Sequence, residues 1–382
     1  MSFTRRDFLK LAGLGAGAMA LRPFSGILRA PVPIVPMGHW EDFPKAEHLG
    51  RLTQTLGLYS APRVDYTPVG KVYEDTVVEW RRVANAQTKD LSVVNQHWVE
   101  TPDGFLYGTY VQPVRNQPNE PIKAVPAGKA GFWAEVTIPY VDLTMDNPPA
   151  RSPWAQAIIG LGKSPRLYYS QVVWIDQVKA GDNGLILYRF NEDGGRPQGV
   201  TGGSYGDIFW ADGRAFRPLG QDDVSPINPD VDPNTKKVVV NLTYQTLSCF
   251  EGQTEVYFCR CSTGGKFDAQ GNPVDAWSTN PGDHLTWRKA LSIHMSGGST
   301  GAGYDTPAVS WTNLFDGAGI AIHAAFWHNG FGEPRSHGCV NVTPEDAKWI
   351  FRWTAPAFSL DQADVTVGMP GGTHVMVEER TF

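Results

Sequence analysis

One stretch near the C-terminus gathers a cysteine and three histidines: Ile322-His323-Ala324-Ala325-Phe326-Trp327-His328-Asn329-Gly330-Phe331-Gly332-Glu333-Pro334-Arg335-Ser336-His337-Gly338-Cys339-Val340-Asn341-Val342. A thiol attacks well only as a thiolate, and a nearby imidazole can take its proton. Gly338 directly before Cys339 lets the backbone turn tightly and aim N–H groups at a developing oxyanion. The apolar run Gly319-Ile320-Ala321-Ile322 ends at His323 and reads as a strand, a rigid mount for a base. His323, His328, His337 and Cys339 are also zinc-capable, but their spacing fits neither a paired CxxC nor an HExxH arrangement. No glutamate is placed as the base of a metallohydrolase.

The elements that must hold these groups can be read outward from Cys339. Thr343-Pro344-Glu345-Asp346 is a helix start: Thr343 caps, Pro344 suits the first helical position, and the acids complement the dipole. Ala347, Ile350 and Phe351 supply the apolar stripe, and the helix ends before Pro356. The positive end of this helix, just after Cys339, would lower the thiol pKa. Upstream, Cys249 to Cys261 reads as a hairpin turning at Glu251-Gly252-Gln253-Thr254. In that register Cys249 faces Val256, so Cys249, Cys259 and Cys261 are expected as small core residues rather than disulfide partners. His328 is expected as an exposed loop residue, and His294 and His374 as ordinary surface or core residues. Trp327 either lines an acyl groove or packs in the core.

The other elements are short strands. The chain has 382 residues with 41 Gly and 29 Pro, which favours strands and turns over long helices. In two places an aromatic strand turns at Asp-Gly into a strand ending in Pro. One runs from Asn95–Val99 through Pro102-Asp103-Gly104 to Leu106–Pro113; the other from Asp207–Trp210 through Ala211-Asp212-Gly213 to Phe216–Leu219. Each resembles a bacterial SH3-like wall module. The polar, Pro-rich stretch Asp222–Lys237 marks the best boundary in the chain. Net charge is −6 with no basic block, which argues against nucleic acid as a partner.

Residues 1–30 read as an address. Arg5-Arg6 followed by Phe8-Leu9-Lys10 precedes a short Gly/Ala-rich apolar run from Leu11 to Leu21. This resembles a twin-arginine signal peptide, with a cleavage site after Ala18-Met19-Ala20. The expected organisation is a signal at 1–30, a linker at 31–47, β modules at 48–120 and 121–221, a second linker at 222–235 and a C-terminal domain at 236–382.

Ser336-His337-Gly338-Cys339-Val340-Asn341, with His323 sixteen residues upstream of the cysteine, resembles the signature of the YkuD-type L,D-transpeptidases. Gln245-Thr246-Leu247 and Ser262-Thr263-Gly264 are similar to that family's first hairpin, and Tyr304 fits the active-site tyrosine of its mycobacterial branch. The resemblance implies a mainly β fold: a C-terminal YkuD-like β-sandwich with one or two short helices, after small SH3-like modules. It implies Cys339 as nucleophile, His323 as general base and acid, the Ala324 carbonyl orienting His323, and the N–H groups of Gly338 and Cys339 as oxyanion donors. Many members have Gly where Ala324 stands. Tyr304, Ser336, His337, Asn341 and Trp327 would support the loop or the substrate.

The implied reaction forms a thioester with a peptidoglycan stem tetrapeptide and passes the acyl group to an amine, a 3→3 crosslink, without metal or organic cofactor. Hydrolysis of the same thioester, as in a carboxypeptidase or endopeptidase, is the rival outcome. A noncatalytic wall-binding protein is the rival of a different class. Implied partners are stem peptides, carbapenem-type β-lactams as inhibitors and the twin-arginine export machinery, with residence on the periplasmic or wall side of the membrane.

Overall fold

The computed structural model describes residues 42–65, 67–89, 93–181, 184–195, 206–267, 272–274, 277–297, 304–362, 364–368 and 371–380. The expected signal peptide and most of the first linker lie outside them.

The chain is mainly β. Between 236 and 380, two five-stranded sheets share one core. The first runs Thr254–Arg260, Thr246–Glu251, Lys236–Asn241, His374–Glu378, Gly282–Leu285; the second runs Val340–Val342, Ala321–Ala324, Tyr304–Leu314, Arg288–Gly297, Asp364–Thr366. Strand alternation sends Val238, Val240, Leu247 and Cys249 inward from the first sheet, and Leu291, Ile322, Val340 and Val342 inward from the second. Cys259 and Cys261 join this core, and all three of these cysteines are buried free thiols. Glu251 pairs Thr254 across a two-residue turn with Gly252 at φ 60°. Cys249, however, lies opposite Tyr257, not Val256, because a bulge interrupts the ladder between Cys249 and Phe250.

The Pro344–Trp353 helix closes one side of the core with Ala347, Ile350, Phe351 and Trp353. Its start follows from local sequence. Thr343 Oγ1 accepts from Asp346 N–H, and Pro344 occupies the first turn. Such a cap stabilises by about 1 kcal/mol. The other end is held by a residue distant in sequence: buried Lys289 Nζ donates to the carbonyls of Phe351, Thr354 and Pro356 at 2.6–2.8 Å. Three acceptors use all three N–H bonds of an ammonium.

Ahead of this unit, two β regions build separate small cores, one around Leu52, Val99, Leu106 and Val111, the other around Val136, Leu167, Tyr188, Phe209 and Phe216. The hairpin His97–Thr101/Gly104–Tyr107 forms at Pro102-Asp103. The matching segment at Ala211-Asp212-Gly213 is not a hairpin turn. Ile208–Asp212 ends in a single 3₁₀ turn, Gly213–Ala215, started by Asp212 accepting from Arg214 N–H, and Phe216–Pro218 then joins a different sheet. The expected linker around 222–235 is packed against the fold. Val224 is buried, and Asp223 pairs with both Arg217 and Lys348.

Candidate active site

The site is made by two neighbouring parallel strands. Ile322 pairs with Val340, His323 with Asn341 and Ala324 with Val342. Continuing the register back by one places Cys339 opposite Ala321, whose backbone bonds to the thiol. Because side chains alternate, Ile322 and Val340 enter the core, while His323, Cys339 and Asn341 share the other face. There they line a cavity of about 280 Å³ together with Met295, Tyr304, Trp327, Arg335, Ser336 and His337. The strand includes His323 instead of ending before it.

His323 is buried, and its Nδ1 lies 3.0 Å from the Ala324 carbonyl. A carbonyl only accepts, so Nδ1 carries the proton and Nε2 is left as a base. Burial pulls the ring down to about 4, against the small upward effect of that bond, so it is neutral near pH 7. Burial likewise pushes the Cys339 thiol up to about 11, with the Ala321 backbone partly opposing. The expected lowering by the helix is not met. Three strand residues and the cap Thr343 separate Cys339 from Pro344, and dipole effects fade within a turn. The resting pair is therefore thiol and neutral imidazole.

The loop before Cys339 is held at every residue. Ser336 N–H donates to the Thr263 carbonyl, and Ser336 Oγ donates to the Cys339 carbonyl while accepting from Gly338 N–H at 3.1 Å. The Gly338 carbonyl accepts from Thr279 Oγ1 at 2.7 Å. Gly338 sits at φ 122°, in the region that favours glycine. Its N–H is thus engaged within the loop, which overturns the expectation that it faces an oxyanion; the Cys339 N–H remains. Gln245 and Thr263 bond reciprocally at 2.7 and 2.8 Å and fix the strand end on which Ser336 rests. Gln245 and Thr263 were legible in the hairpin motif, whereas Thr279 had no sequence signal.

His337 lies edge-on to Trp277, ring centroids 4.5 Å apart, and 5.3 Å from Tyr304. Burial raises the Tyr304 hydroxyl, as does the nearby Cys339. Trp327 lines the cavity, its ring 5.7 Å from His323.

His328 is the largest departure from expectation: it is buried, not exposed. Its Nδ1 accepts from Gly330 N–H at 3.2 Å, so in the neutral ring Nε2 carries the proton. Nε2 lies 3.1 Å from Asn341 Nδ2, while Asn341 Oδ1 is buried without a partner; turning the amide over gives Nε2–H its acceptor. Burial pulls His328 down to about 3. The loop that carries it is packed against the first β region. Asn329 N–H donates to the Thr109 carbonyl, Arg51 Nη2 to the Phe326 carbonyl, and Glu333 accepts from Val94 and Asn95 N–H. Among the described residues, no group of His, Cys, Asp and Glu is arranged to hold a metal.

Residues 235–375 match the YkuD family, the L,D-transpeptidase catalytic domain. The YkuD match spans the second sheet, the helix, every residue of the cavity, and the first sheet as far as Val375. Solved structures to which the chain is similar are L,D-transpeptidases. One from Xylanimonas cellulosilytica is 22% identical, with 38% of this chain and 62% of that one covered at a TM-score of 0.26. A C442S mutant from Enterococcus faecium is 19% identical over 38% and 50%, at 0.29. One from Mycobacterium smegmatis is 16% identical over 50% and 90%, at 0.30. The chain thus spans about half to three fifths of the length of the first two. No curated protein matches it.

Proposed function

We propose that this chain is an exported peptidoglycan L,D-transpeptidase acting through Cys339. The observation that carries the reading is the strand pairing that puts His323 and Cys339 on one face of one cavity, with His323 Nδ1 committed to Ala324. Cys339 Sγ attacks the carbonyl of a stem tetrapeptide between its third and fourth residues as His323 Nε2 removes the thiol proton. With the thiol near 11 and the imidazole near 4, the proton moves as the S–C bond forms rather than before it. The tetrahedral oxyanion takes a hydrogen bond from Cys339 N–H. His323 returns the proton to the leaving D-residue's amine, and a thioester remains. An acceptor amine then attacks the thioester, its proton passes through His323, and the thiol is regenerated with a 3→3 crosslink formed.

In this reading residues 236–382 are the catalytic domain, 48–120 and 121–221 are SH3-like modules, and residues 1–30 route the folded protein through the twin-arginine system. A carbapenem acylates the same thiol through its strained lactam carbonyl. Mass spectrometry of muropeptides after incubation with a disaccharide-tetrapeptide tests the reaction: 3→3 dimers are expected. Tripeptide alone means hydrolysis, and unaltered substrate with sacculus binding means a wall-binding protein. Cys339→Ala must abolish product. Fractionation of cells carrying Arg5→Lys and Arg6→Lys tests the export route, with retention in the cytoplasm expected.

A further inference from the structure

The long hairpin Arg288–Gly297/Tyr304–Leu314 forms one wall of the cavity through Met295, Tyr304, Thr306 and Val309. Its ladder is regular up to Ile293–Val309, then shifts so that Met295 opposes Thr306, leaving His294 at the irregularity. Successive residues of a strand point to opposite faces. Met295 meets the cavity, and His294 points the other way, into three carboxylates. Its Nε2 lies 2.5 Å from Asp305 Oδ1, and its Nδ1 lies 3.4 Å from Asp193 and 3.6 Å from Glu192. Asp305 belongs to the partner strand of the hairpin; Glu192 and Asp193 belong to the second β region.

Carboxylates face both ring nitrogens. Only the imidazolium presents an N–H on both. Glu192 Oε1 and Asp193 Oδ1 are buried, and the His294 ring is the cation that faces them. Burial works against that charge, but the bonds to Asp193 and Asp305 and the charge of Glu192 outweigh it and raise the His294 pKa.

The second β region also touches the hairpin at its bend. Gln171 Nε2 donates to the Pro307 carbonyl at 2.7 Å, and Val172 N–H donates to Ser310 Oγ at 2.8 Å. Gly194, at φ 70°, passes so close that a Cβ there would lie 2.4 Å from Ser292 Oγ. The hairpin bends here: Ala308 has φ 53°.

We propose that His294 is a positioning residue: as an imidazolium held by Glu192, Asp193 and Asp305, it pins the arm bearing Met295, Tyr304 and Thr306 to the second β region and so sets the wall of the cavity over Cys339. The proposal rests on the acyl-transfer reading of that cavity. Loss of the proton leaves three carboxylates around a neutral ring, and the pin is released as pH rises through the His294 pKa.

The test uses the full chain, its His294→Gln and His294→Lys variants, and two probes of Cys339: a carbapenem, and iodoacetamide located by mass. In the wild type, carbapenem acylation falls by roughly tenfold as pH rises through the His294 titration, a partial loss of alignment against the about hundredfold cost of a full ~1 Å misplacement. His294→Gln shows the low rate at all pH, and His294→Lys removes the step while keeping the high rate. Wild-type rate and profile in both variants overturn the proposal. If no carbapenem acylates the wild type, the proposed function fails instead, and the pin is read from iodoacetamide. A pH step in wild-type alkylation that is absent in His294→Lys supports it; identical profiles overturn it. If the variants do not fold, NMR titration of the wild type decides. Tyr304 ring signals that shift with His294 protonation support the pin, and signals that ignore it overturn it.

Discussion

Arg51 Nη2 donates to the Phe326 carbonyl at 2.7 Å, across 275 positions of the chain. The same buried guanidinium bonds Gln112 and Asp75, lies 4.0 Å over the Tyr168 ring, and that ring stacks on Phe326. Phe326 precedes Trp327 of the cavity and follows Ala324 by two residues. Arg51→Met takes one partner from Asp75, which keeps Arg166 and the Tyr168 hydroxyl, and leaves the Phe326 carbonyl without its Arg51 donor, a loss of about 1–3 kcal/mol. A lower melting temperature and slower carbapenem acylation are expected together. Arg51→Lys, which keeps the charge but not the fork, should fall between.

Gly338→Ala tests the nucleophile loop. The added Cβ would meet Ser278 O at 3.5 Å, an ordinary contact, so the penalty is conformational: φ 122° costs an alanine on the order of 1–3 kcal/mol. The loop relaxes by turning Cys339 away from His323. Acylation should fall about a hundredfold while circular dichroism stays unchanged, which stopped-flow and spectra can check.

Acid acts on fold and activity with one sign. His323 and His328 are held below their ordinary value, near 4 and 3, so between those values and about 6.5 the unfolded chain binds more protons than the folded one. Their contribution is complete above pH 6.5 and shrinks as pH falls. Denaturant titrations should show stability declining from pH 6.5 downward, and less steeply in His328→Phe. In His294→Lys, which lacks the His294 step, acylation of Cys339 should hold a plateau from neutral pH downward and fall near pH 4, where His323 Nε2 gains its proton.

Thiol counting separates one cysteine from three. Burial raises Cys249, Cys259 and Cys261 far above the ordinary thiol range, whereas Cys339 is half-buried and opens to the cavity. Native protein should take a single alkylating group, on Cys339, and denatured protein four. A second native adduct on any of the other three would contradict the packing.

What could be read in advance was local. The Thr343-Pro344 helix start, the Gly252-Gln253 turn and the His323–Cys339 spacing each depend on a few adjacent residues or on one motif. What could not be read depends on partners far along the chain. Burial of His328 is decided by a loop packed on Gly108 and Thr109. Lys289 looks like a surface lysine until the carbonyls of Phe351, Thr354 and Pro356 converge on it. The bulge that gives Cys249 to Tyr257 leaves no mark in an alternating pattern. Gly338 was correctly read as a tight turn, but which group its N–H meets depended on the Ser336 rotamer.

The parallel pairing of Ala321–Ala324 with Val340–Val342 has a consequence for how this protein could diversify. The strands run parallel, so the segment from Ala325 to Gly338 leaves the end of one and crosses back to the start of its neighbour, where Gly338 lies beside Ile320; its two ends are held about five strand residues, roughly 16 Å, apart. Base and nucleophile stand at those fixed ends, while Trp327, His328 and Arg335 ride on the span between. Such a segment behaves as a cartridge: its interior can be exchanged, lengthened or retuned toward another acceptor with the reacting pair left in place.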